Sequence, residues 1–403
     1  MKDKAVIEGA VTAAKGFRAA AVSAGIRYSR DDMTMIVSDR PAAVAGTFTT
    51  NLVCAPPVKV CREHLKGRQG RAVIINAGCA NACTGKQGMD NARKMAAWTA
   101  EALDVPVKTV FPCSTGTIGL QLPMDKIAAG IKLAAAALSA DAGPRAAKAI
   151  MTTDTVDKQI ALEFQVDGVP VRIGGMAKGA GMIEPNMATM LCFITTDAAV
   201  EPRALQSCLS AAVAESFNRI TVDGDMSTND TVLLMANGAA GNRPLGPKHR
   251  QWKAFVAAVN TVTKELALKI VKDGEGATKF VTLTVKGAAS AADARKAVRA
   301  VANSLLVKTS WFGGDPNWGR VIDAVGYSGA RVKEDRVDIA YDGISAVKGG
   351  MKAPNFALQD LERVLKQKCF TIDIDLHLGK SADTVYTCDC SFDYVKINSE
   401  YMT

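Results

Sequence analysis

Strand-like and helix-like segments follow one another in an irregular order along this chain, and that order narrows the choice of architecture. Short runs rich in β-branched residues predict strands at 72–76, 281–285 and 370–376. Apolar residues at helical spacing predict helices at 126–151 (two helices, broken near 141–144), 202–217, 251–272 and 290–306. Neither strict β-α-β alternation nor a tandem repeat is present. We therefore expect a layered α+β architecture rather than a doubly wound parallel sheet.

The composition is that of a globular protein. With 403 residues, the chain is long enough for two or three core-forming units. Aromatic residues make up only 5% of it, so we expect a core of small and branched aliphatic side chains. No run of about 18 apolar residues predicts a membrane span, and residues 1–26 lack the pattern of a secretory signal. We expect a cytoplasmic protein with no membrane partner.

Charged residues and cysteines exclude two further classes of partner. The net charge is +9, but basic and acidic residues are interspersed, so we expect no nucleic-acid partner. The pairs Cys79/Cys83 and Cys388/Cys390 have no partner pair at zinc-site spacing, and the three histidines do not complete one. We expect no metal, and ten cysteines that are reduced and mostly buried.

The middle of the chain carries its most informative segment. The dense glycine stretch 174–181 leads into a turn-forming group at 184–186 and then into an apolar, strand-like run at 190–194. Pro185 fixes its own φ and pushes Glu184 toward extended geometry. Such a segment can hold one peptide bond in an accessible, distorted position just before a strand.

A threonine in this segment is suited to cutting its own backbone. If the hydroxyl of Thr189 attacks the carbonyl of Ala188, an N-to-O acyl shift and hydrolysis leave Thr189 as a new N-terminus. A free α-amine has a pKa of about 7.7–8.0, so it can act as general base for the hydroxyl of the same residue. No Ser-His-Asp triad is then required. From the residues alone, a glycine loop that feeds a buried strand remains the plainer interpretation.

The segment 178–197, KGAGMIEPNMATMLCFITTD, resembles the processing site of the ornithine acetyltransferase family, also called bifunctional glutamate N-acetyltransferases. Further blocks resemble that family in the same order along nearly the whole chain. They lie at 16–20, 45–51, 75–85, 113–119, 151–155, 217–225, 227–231, 273–279, 314–320 and 397–403. Most single blocks are unspecific, but their joint occurrence identifies the chain as a member of this family.

The resemblance implies a fold and an assembly. The fold would be a layered α+β sandwich of the self-processing, N-terminal-nucleophile type, with central sheets covered by helices. Cleavage between Ala188 and Thr189 would yield an α part, 1–188, and a β part, 189–403. The two parts would stay wound together and associate into an (αβ)2 heterotetramer.

The resemblance also assigns the site. Thr189 would be the nucleophile, and Thr115 and Gly116 would stabilise the oxyanion. The substrate-binding residues would be Thr155, Lys178, Thr189, Glu275, Asn398 and Thr403. Thr153 aligns as an alternative to Thr155. Without the family, Ser114-Thr115-Gly116 is an ordinary turn, Lys178 and Glu275 are solvated charges, and the C-terminal tail is frayed.

The reaction implied by the resemblance belongs to arginine biosynthesis. It transfers the acetyl group of N2-acetyl-L-ornithine to L-glutamate through an acetyl ester on Thr189, in ping-pong order and without a cofactor. Some members also accept acetyl-CoA as the donor, and no motif here decides between the two forms. A self-processing aminopeptidase or amidase is the hydrolytic alternative. A nucleotide-binding loop at 78–87 is excluded because Ala80 and Gln87 break the required pattern.

Overall fold

The computed structural model describes residues 5–27, 30–184 and 190–400. Three residues of the predicted site, Ala188, Thr189 and Thr403, lie outside the described residues. Their predicted roles therefore stay predictions, and the fold bears on them only through the segments that flank them.

The larger of two sheets has a mixed pattern of strand directions. Within the described residues it comprises nine strands: β1 (Ala5–Ile7), β2 (Phe17–Val22), β3 (Met33–Phe48), β4 (Gln69–Cys79), β5 (Val110–Thr117), β6 (Lys158–Val166), β7 (Val169–Lys178), β8 (Leu191–Thr196) and β9 (Thr231–Ala236). Their order is β1-β6-β7-β8-β9-β3-β4-β5, and β2 pairs with β3. The pairs β4/β5 and β8/β9 are parallel, and the other pairs are antiparallel.

The smaller sheet is formed by the C-terminal part of the chain. Its six strands in the described residues are β10 (Phe280–Ala288), β11 (Asp338–Tyr341), β12 (Ile344–Lys348), β13 (Met351–Lys352), β14 (Cys369–Asp375) and β15 (Ser381–Cys388). Their order is β13-β12-β11-β14-β10-β15. Only β10 and β14 run parallel. The segment that precedes β9 contacts this sheet where the N–H of Thr221 donates to the carbonyl of Tyr386 on β15, at 3.0 Å.

The helices cover these sheets. In the described residues they are α1 (Pro56–Leu65), α2 (Gly85–Leu103), α3 (Met124–Ala136), α4 (Gly143–Ala149), α5 (Pro202–Ala214), α6 (Trp252–Lys272), α7 (Ala291–Asn303), α8 (Leu305–Gly313), α9 (Trp318–Gly326), α10 (Leu358–Leu365) and α11 (Phe392–Glu400). Short 3-10 helices lie at Ala10–Thr12, Val107–Thr109, Phe217–Arg219 and Glu334–Arg336.

The core is layered because successive side chains of a strand point to opposite faces of the sheet. In β8, Ile194 packs with the helices α5 and α6, whereas Phe193 belongs to a second cluster on the opposite face. A separate cluster joins the smaller sheet to α7, α8, α9 and α10. This arrangement confirms the predicted layered α+β architecture.

Most predicted elements are present, with one error of boundary. All three predicted strands are found, and the helical segment 126–151 is broken between Ala136 and Gly143, as predicted. The predicted helix 290–306 is instead two helices, because the hydroxyl of Ser304 accepts the N–H of Val307 and starts a new one. Leu305 is therefore the first residue of α8 and not part of the preceding helix, and 62% of its surface is exposed.

Two further observations concern the thiols and the membrane. All ten cysteines are free, and six of them are buried, in agreement with the prediction. Over the ranges that the structure describes, no helix combines the length and the apolar character that a membrane crossing needs.

Candidate active site

Thr115 and Gly116 lie at the end of β5, where that strand meets β4 at very close range. Gly116 has φ +127°, and a Cβ there would lie 2.3 Å from the carbonyl carbon of Gly78. Only glycine fits this position, since other residues would combine a strained backbone with a clash. Thr115, beside it, is buried. The side-chain amide of Asn229 donates to the carbonyl of Ser114 at 2.9 Å and so holds the end of β5 in place.

Lys178 ends β7 and is almost fully buried, with 3% of its surface exposed. Its Nζ lies 3.9 Å from Asp154 Oδ2. Burial lowers the pKa of Lys178, and the nearby carboxylate of Asp154 opposes that effect. The prediction of an ordinary surface lysine, made without the family, is therefore wrong. The ammonium is held inside the protein, where it can pair with an anionic group of a substrate.

A buried network of charges positions this lysine. Lys158 Nζ donates to Asp154 Oδ1 at 2.7 Å and also pairs with Asp273. Burial alone would raise the pKa of Asp154, but the charges of Lys178 and Lys158 outweigh it and lower that pKa to about 2. Two lysines thus face two aspartates, so each buried charge has a partner of opposite sign.

The glycine loop that follows Lys178 is fixed by side-chain acceptors. The N–H of Gly179 donates to Asp154 Oδ1 at 2.7 Å, and those of Met182 and Ile183 donate to the Asp223 carboxylate at 2.6 and 2.8 Å. Burial raises the pKa of Asp223 to about 6, although these N–H groups act in the opposite direction. The loop is therefore a rigid wall of the site.

Both ends of the segment 185–189 are anchored. Before it, the carboxylate of Glu184 accepts from Arg299 at 2.8 Å and from Asn303 at 2.9 Å. After it, the N–H of Met190 donates to Asp230 Oδ1 at 3.0 Å, just before β8 begins. The predicted cleavage bond thus belongs to a short span between two fixed points.

Glu275 lies against the same loop and is buried. Its backbone N–H donates to the carbonyl of Ala180 at 2.9 Å. A Cβ on Gly181 would lie 2.3 Å from Glu275 Oε2, so the glycine lets the loop approach this carboxylate. Asn398, on α11, donates to Glu275 Oε2 at 2.9 Å. The last described helix, up to Glu400, therefore folds back over the site.

One pocket brings most of the predicted residues together. Its walls include Thr115, Gly116, Lys178, Glu275 and Asn398, together with Thr152, Thr153, Asp223, Asp225, Asn229 and Tyr394. These residues come from positions up to 283 apart in a chain of 403, and only the tertiary fold unites them. Their predicted roles in chemistry and binding stay predictions.

Thr155 lies elsewhere. Its hydroxyl and its N–H both donate to Asp273, and it lines a separate cavity with Arg30, Arg145 and Lys148. Thr153, the alternative from the sequence, lines the pocket that contains Lys178. The substrate contact assigned to Thr155 stays a prediction, and the geometry favours Thr153.

Several residues of the site were not predicted from the sequence. Asp154, Asp223 and Asp230 lie in blocks that carry the family resemblance, but no role was predicted for them. The signal that points to Asp223 and Asp230 is a cluster of acidic and hydroxyl residues, 223–231, between two apolar segments. Such a cluster looks like a solvated loop until burial is known.

Comparison with known proteins identifies the family. The sequence profile of the ArgJ family matches residues 18–403 of the chain. The chain belongs to the ArgJ family. This confirms the resemblance seen in the sequence.

Relatives match the chain along nearly its whole length. The arginine biosynthesis bifunctional protein ArgJ of Geobacter sulfurreducens is 52% identical over 390 residues, which cover 96% of this chain and 99% of the relative. That of Symbiobacterium thermophilum is 49% identical, covering 98% and 99%. A crystal structure of the ArgJ protein of Bacillus halodurans is similar with a TM-score of 0.50 and 42% identity, covering 52% of this chain and 98% of that chain. The fold class implied by the resemblance is thereby confirmed.

Proposed function

We propose that this chain is a self-processing acetyltransferase of arginine biosynthesis, acting in the cytoplasm. It moves the acetyl group of N2-acetyl-L-ornithine to L-glutamate. The observation that carries this proposal is the convergence of Thr115, Gly116, Lys178, Glu275 and Asn398 on one pocket beside the start of β8. The relatives at 52% and 49% identity are named for arginine biosynthesis, which supports the same conclusion.

The first step is self-cleavage. The hydroxyl of Thr189 attacks the carbonyl carbon of Ala188, and water hydrolyses the resulting ester. Thr189 then carries a free α-amine, which serves as general base for its own hydroxyl. Developing negative charge on the substrate's carbonyl oxygen is held by donors at Thr115 and Gly116, on the rigid end of β5.

The second step is acetyl transfer in ping-pong order. Thr189 takes the acetyl group from N-acetylornithine as an ester, ornithine leaves, and glutamate attacks the ester. Both substrates share an α-amino-acid core, so one set of contacts serves both. The buried ammonium of Lys178 pairs with the α-carboxylate, and the carboxylate of Glu275 holds an amino group. The scheme uses only groups of the chain and of its substrates, with no cofactor.

Cleavage would leave the two parts joined. β8 follows the cleavage bond and pairs with β7 on one side and with β9 on the other. The α part, 1–188, and the β part, 189–403, would therefore share the larger sheet. The solved chain from Bacillus halodurans is matched over 98% of its length and covers 52% of this chain, as expected of one half of a divided protein. We propose an (αβ)2 heterotetramer as the assembly.

Acetyl-CoA is a second proposed donor. The relatives at 52% and 49% identity are both named bifunctional, and the family resemblance associates the second activity with transfer from acetyl-CoA to glutamate. Release of free CoA in the presence of glutamate, measured with a thiol reagent, tests this donor. If no free CoA is released, transfer from N-acetylornithine would remain as the proposed activity.

Substitutions at Thr189 test the proposal. Thr189→Val keeps the shape of the side chain and removes the hydroxyl, so we expect one uncut chain of 42.4 kDa and no acetyl transfer. The matched control, Thr189→Ser, keeps a hydroxyl and should still be cut. Gel electrophoresis and intact-protein mass spectrometry measure the first result, and product formation from N-acetylornithine and glutamate measures the second. Cleavage of Thr189→Val at the same bond would show that the hydroxyl of Thr189 is not the nucleophile.

The hydrolytic alternative is separated by a second assay. The processed enzyme is incubated with N-acetylornithine, with and without glutamate. A transferase forms N-acetylglutamate and releases little acetate. Release of acetate at a rate that glutamate leaves unchanged would instead identify an amidase.

A further inference from the structure

Asp230 is a fully buried carboxyl group that contacts Met190, the residue that directly follows the proposed nucleophile in the sequence. Its Oδ1 accepts the N–H of Met190 at 3.0 Å. That nitrogen belongs to the peptide bond between residues 189 and 190, so the carboxyl contacts the first described group after the proposed nucleophile. Its Oδ2 makes no hydrogen bond with any residue in the described part of the chain. A buried acidic oxygen without a partner costs stability, so such a group suggests a use.

The backbone fixes this position from two sides. The carbonyl of Asp230 accepts the N–H of Thr49 at 3.0 Å, and the next residue, Thr231, donates to the carbonyl of Met190 at 3.1 Å. The parallel pairing of β8 with β9 begins at Leu191 and Thr231. The carboxyl is therefore placed by two strand ends and not by a mobile loop.

The surroundings favour the protonated form of this carboxyl. Burial raises the pKa of Asp230 well above its usual range. The N–H of Met190, the hydroxyls of Thr49 and Ser227 and the charge of Lys178 lower it only in part. The raised pKa extends the pH range over which this carboxyl keeps a proton that it can donate.

We propose that Asp230 relays a proton during the self-cleavage of this chain. The inference rests on the proposed cleavage before Thr189. In the acyl shift, a bond forms between Thr189 Oγ and the carbonyl carbon of Ala188, and the bond from that carbon to the Thr189 nitrogen breaks. The departing nitrogen takes the proton of the Asp230 carboxyl. The proton released by Oγ returns to the carboxylate, so Asp230 is protonated again at the end. Each chain uses this relay once, in its own cleavage.

Asp197 provides a matched control. It directly follows the last residue of β8, is also fully buried, and accepts the N–H groups of Lys15 and Arg172 at 3.0 and 2.8 Å. Burial raises its pKa as well. It differs from Asp230 in position. Asp197 follows the last residue of β8, whereas Asp230 contacts Met190, just before the first residue of β8.

The test follows the cleavage of freshly synthesised full-length chain from a cell-free system, by gel and by intact mass. Asp230→Asn keeps the size of the side chain and an oxygen for the N–H of Met190, but an amide does not exchange a proton in this way. We expect its cleavage to slow by about 10²-fold or more, with an unchanged circular dichroism spectrum. Asp197→Asn should be cut at the wild-type rate.

Each outcome has one meaning. Cleavage of Asp230→Asn at the wild-type rate, or equal slowing in Asp197→Asn, would overturn the relay. A wild-type chain that is never cut before Thr189 would instead remove the proposed function.

If Asp230→Asn does not fold, the pH dependence of cleavage in a Cys54→Ser chain decides. Among the residues that the structure describes, the titratable groups that face Asp230 are Lys178, at the end of β7, and Cys54, ahead of α1. Cleavage in the Cys54→Ser chain should slow as the pH rises through the pKa of Asp230, because the acid form is the donor. A rate that stays constant or increases over that range would contradict the relay.

Discussion

The side-chain amide of Asn398 donates a hydrogen bond to Glu275 Oε2 at 2.9 Å. Asn398 lies on the last helix, α11, and its amide also donates to the carbonyl of Tyr394 one turn earlier, at 3.0 Å. The contact closes the pocket with a segment that sequence reasoning without the family would leave disordered. It also orients the carboxylate that we propose for the substrate's amino group.

Removal of this amide should weaken substrate binding. A hydrogen bond to a charged group contributes about 1.5–3 kcal/mol, so we expect Asn398→Ala to raise the KM for N-acetylornithine by about tenfold or more. Steady-state kinetics measure the change. Ser399→Ala is the control, because that hydroxyl donates only to the carbonyl of Lys396 on the same helix, at 3.0 Å. An unchanged KM in Asn398→Ala would show that Glu275 is positioned without this contact.

Thr115→Val tests the oxyanion pair. The loss of one preorganised donor lowers kcat by about 10²–10³-fold, and we expect the KM to stay nearly constant because the charge develops only in the transition state. Thr109→Val is the control, since the Thr109 hydroxyl is exposed and donates to Pro106. A variant at position 115 with full kcat would leave Gly116 and other donors to hold the oxyanion.

Substitutions at Thr153 and at Thr155 should cause different kinds of defect. We expect Thr153→Val to raise the KM for N-acetylornithine, since Thr153 lines the pocket. Thr155→Val should instead lower the melting temperature, because it removes a hydrogen bond to the buried carboxylate of Asp273 that contributes about 1.5–3 kcal/mol. Kinetics and thermal unfolding of both variants separate the two effects. The reverse pattern would restore Thr155 as the substrate contact.

The buried ion pairs around Asp154 should matter far more than a surface pair. Asp154→Asn leaves the buried charge of Lys158 with one partner fewer, and we expect a loss of about 3–5 kcal/mol in the free energy of unfolding. Asp39→Asn, which breaks the exposed pair with Arg18, should cost about 0–1 kcal/mol. Denaturant unfolding of the two variants measures the difference, and similar losses would refute it.

Stability should respond to pH with opposite signs at Asp154 and Asp223. The pKa of Asp154 is lowered from 3.8 to about 2. Its contribution to the free energy of unfolding is therefore present above pH 3.8 and is lost as the pH falls through 2. The pKa of Asp223 is raised from 3.8 to about 6. Its contribution to the free energy of unfolding is therefore present below pH 3.8 and is lost as the pH rises through 6.

This difference is measurable in variants. Between about pH 4 and about pH 7, Asp223→Asn should lose less unfolding free energy than the wild type, because the variant has no carboxyl to ionise. Asp154→Asn should show no such flattening over that range. Equal pH dependence in the wild type and Asp223→Asn would contradict the raised pKa.

Local patterns were enough to predict most of the secondary structure. The alternation of 370–376 and the break near 141–144 depend on residues close together in the chain, and both are found in the fold. The boundary at Ser304 was missed because an apolar spacing that continues across a cap looks like one helix. Only the hydrogen bond from Val307 to the Ser304 hydroxyl distinguishes the two cases.

The sequence by itself determined the family, the layered fold class and the candidates Thr115, Gly116, Lys178, Glu275 and Asn398, because order and spacing along the chain carry that information. The tertiary structure decided which charges are buried and what faces them. Lys158, which also pairs with Asp154, meets Asp273 across a separation of 115 residues, and Met190 meets Asp230 across 40 residues. Burial and partnership are properties of the packed chain, since the cost of removing a charge from water depends on what surrounds it after folding.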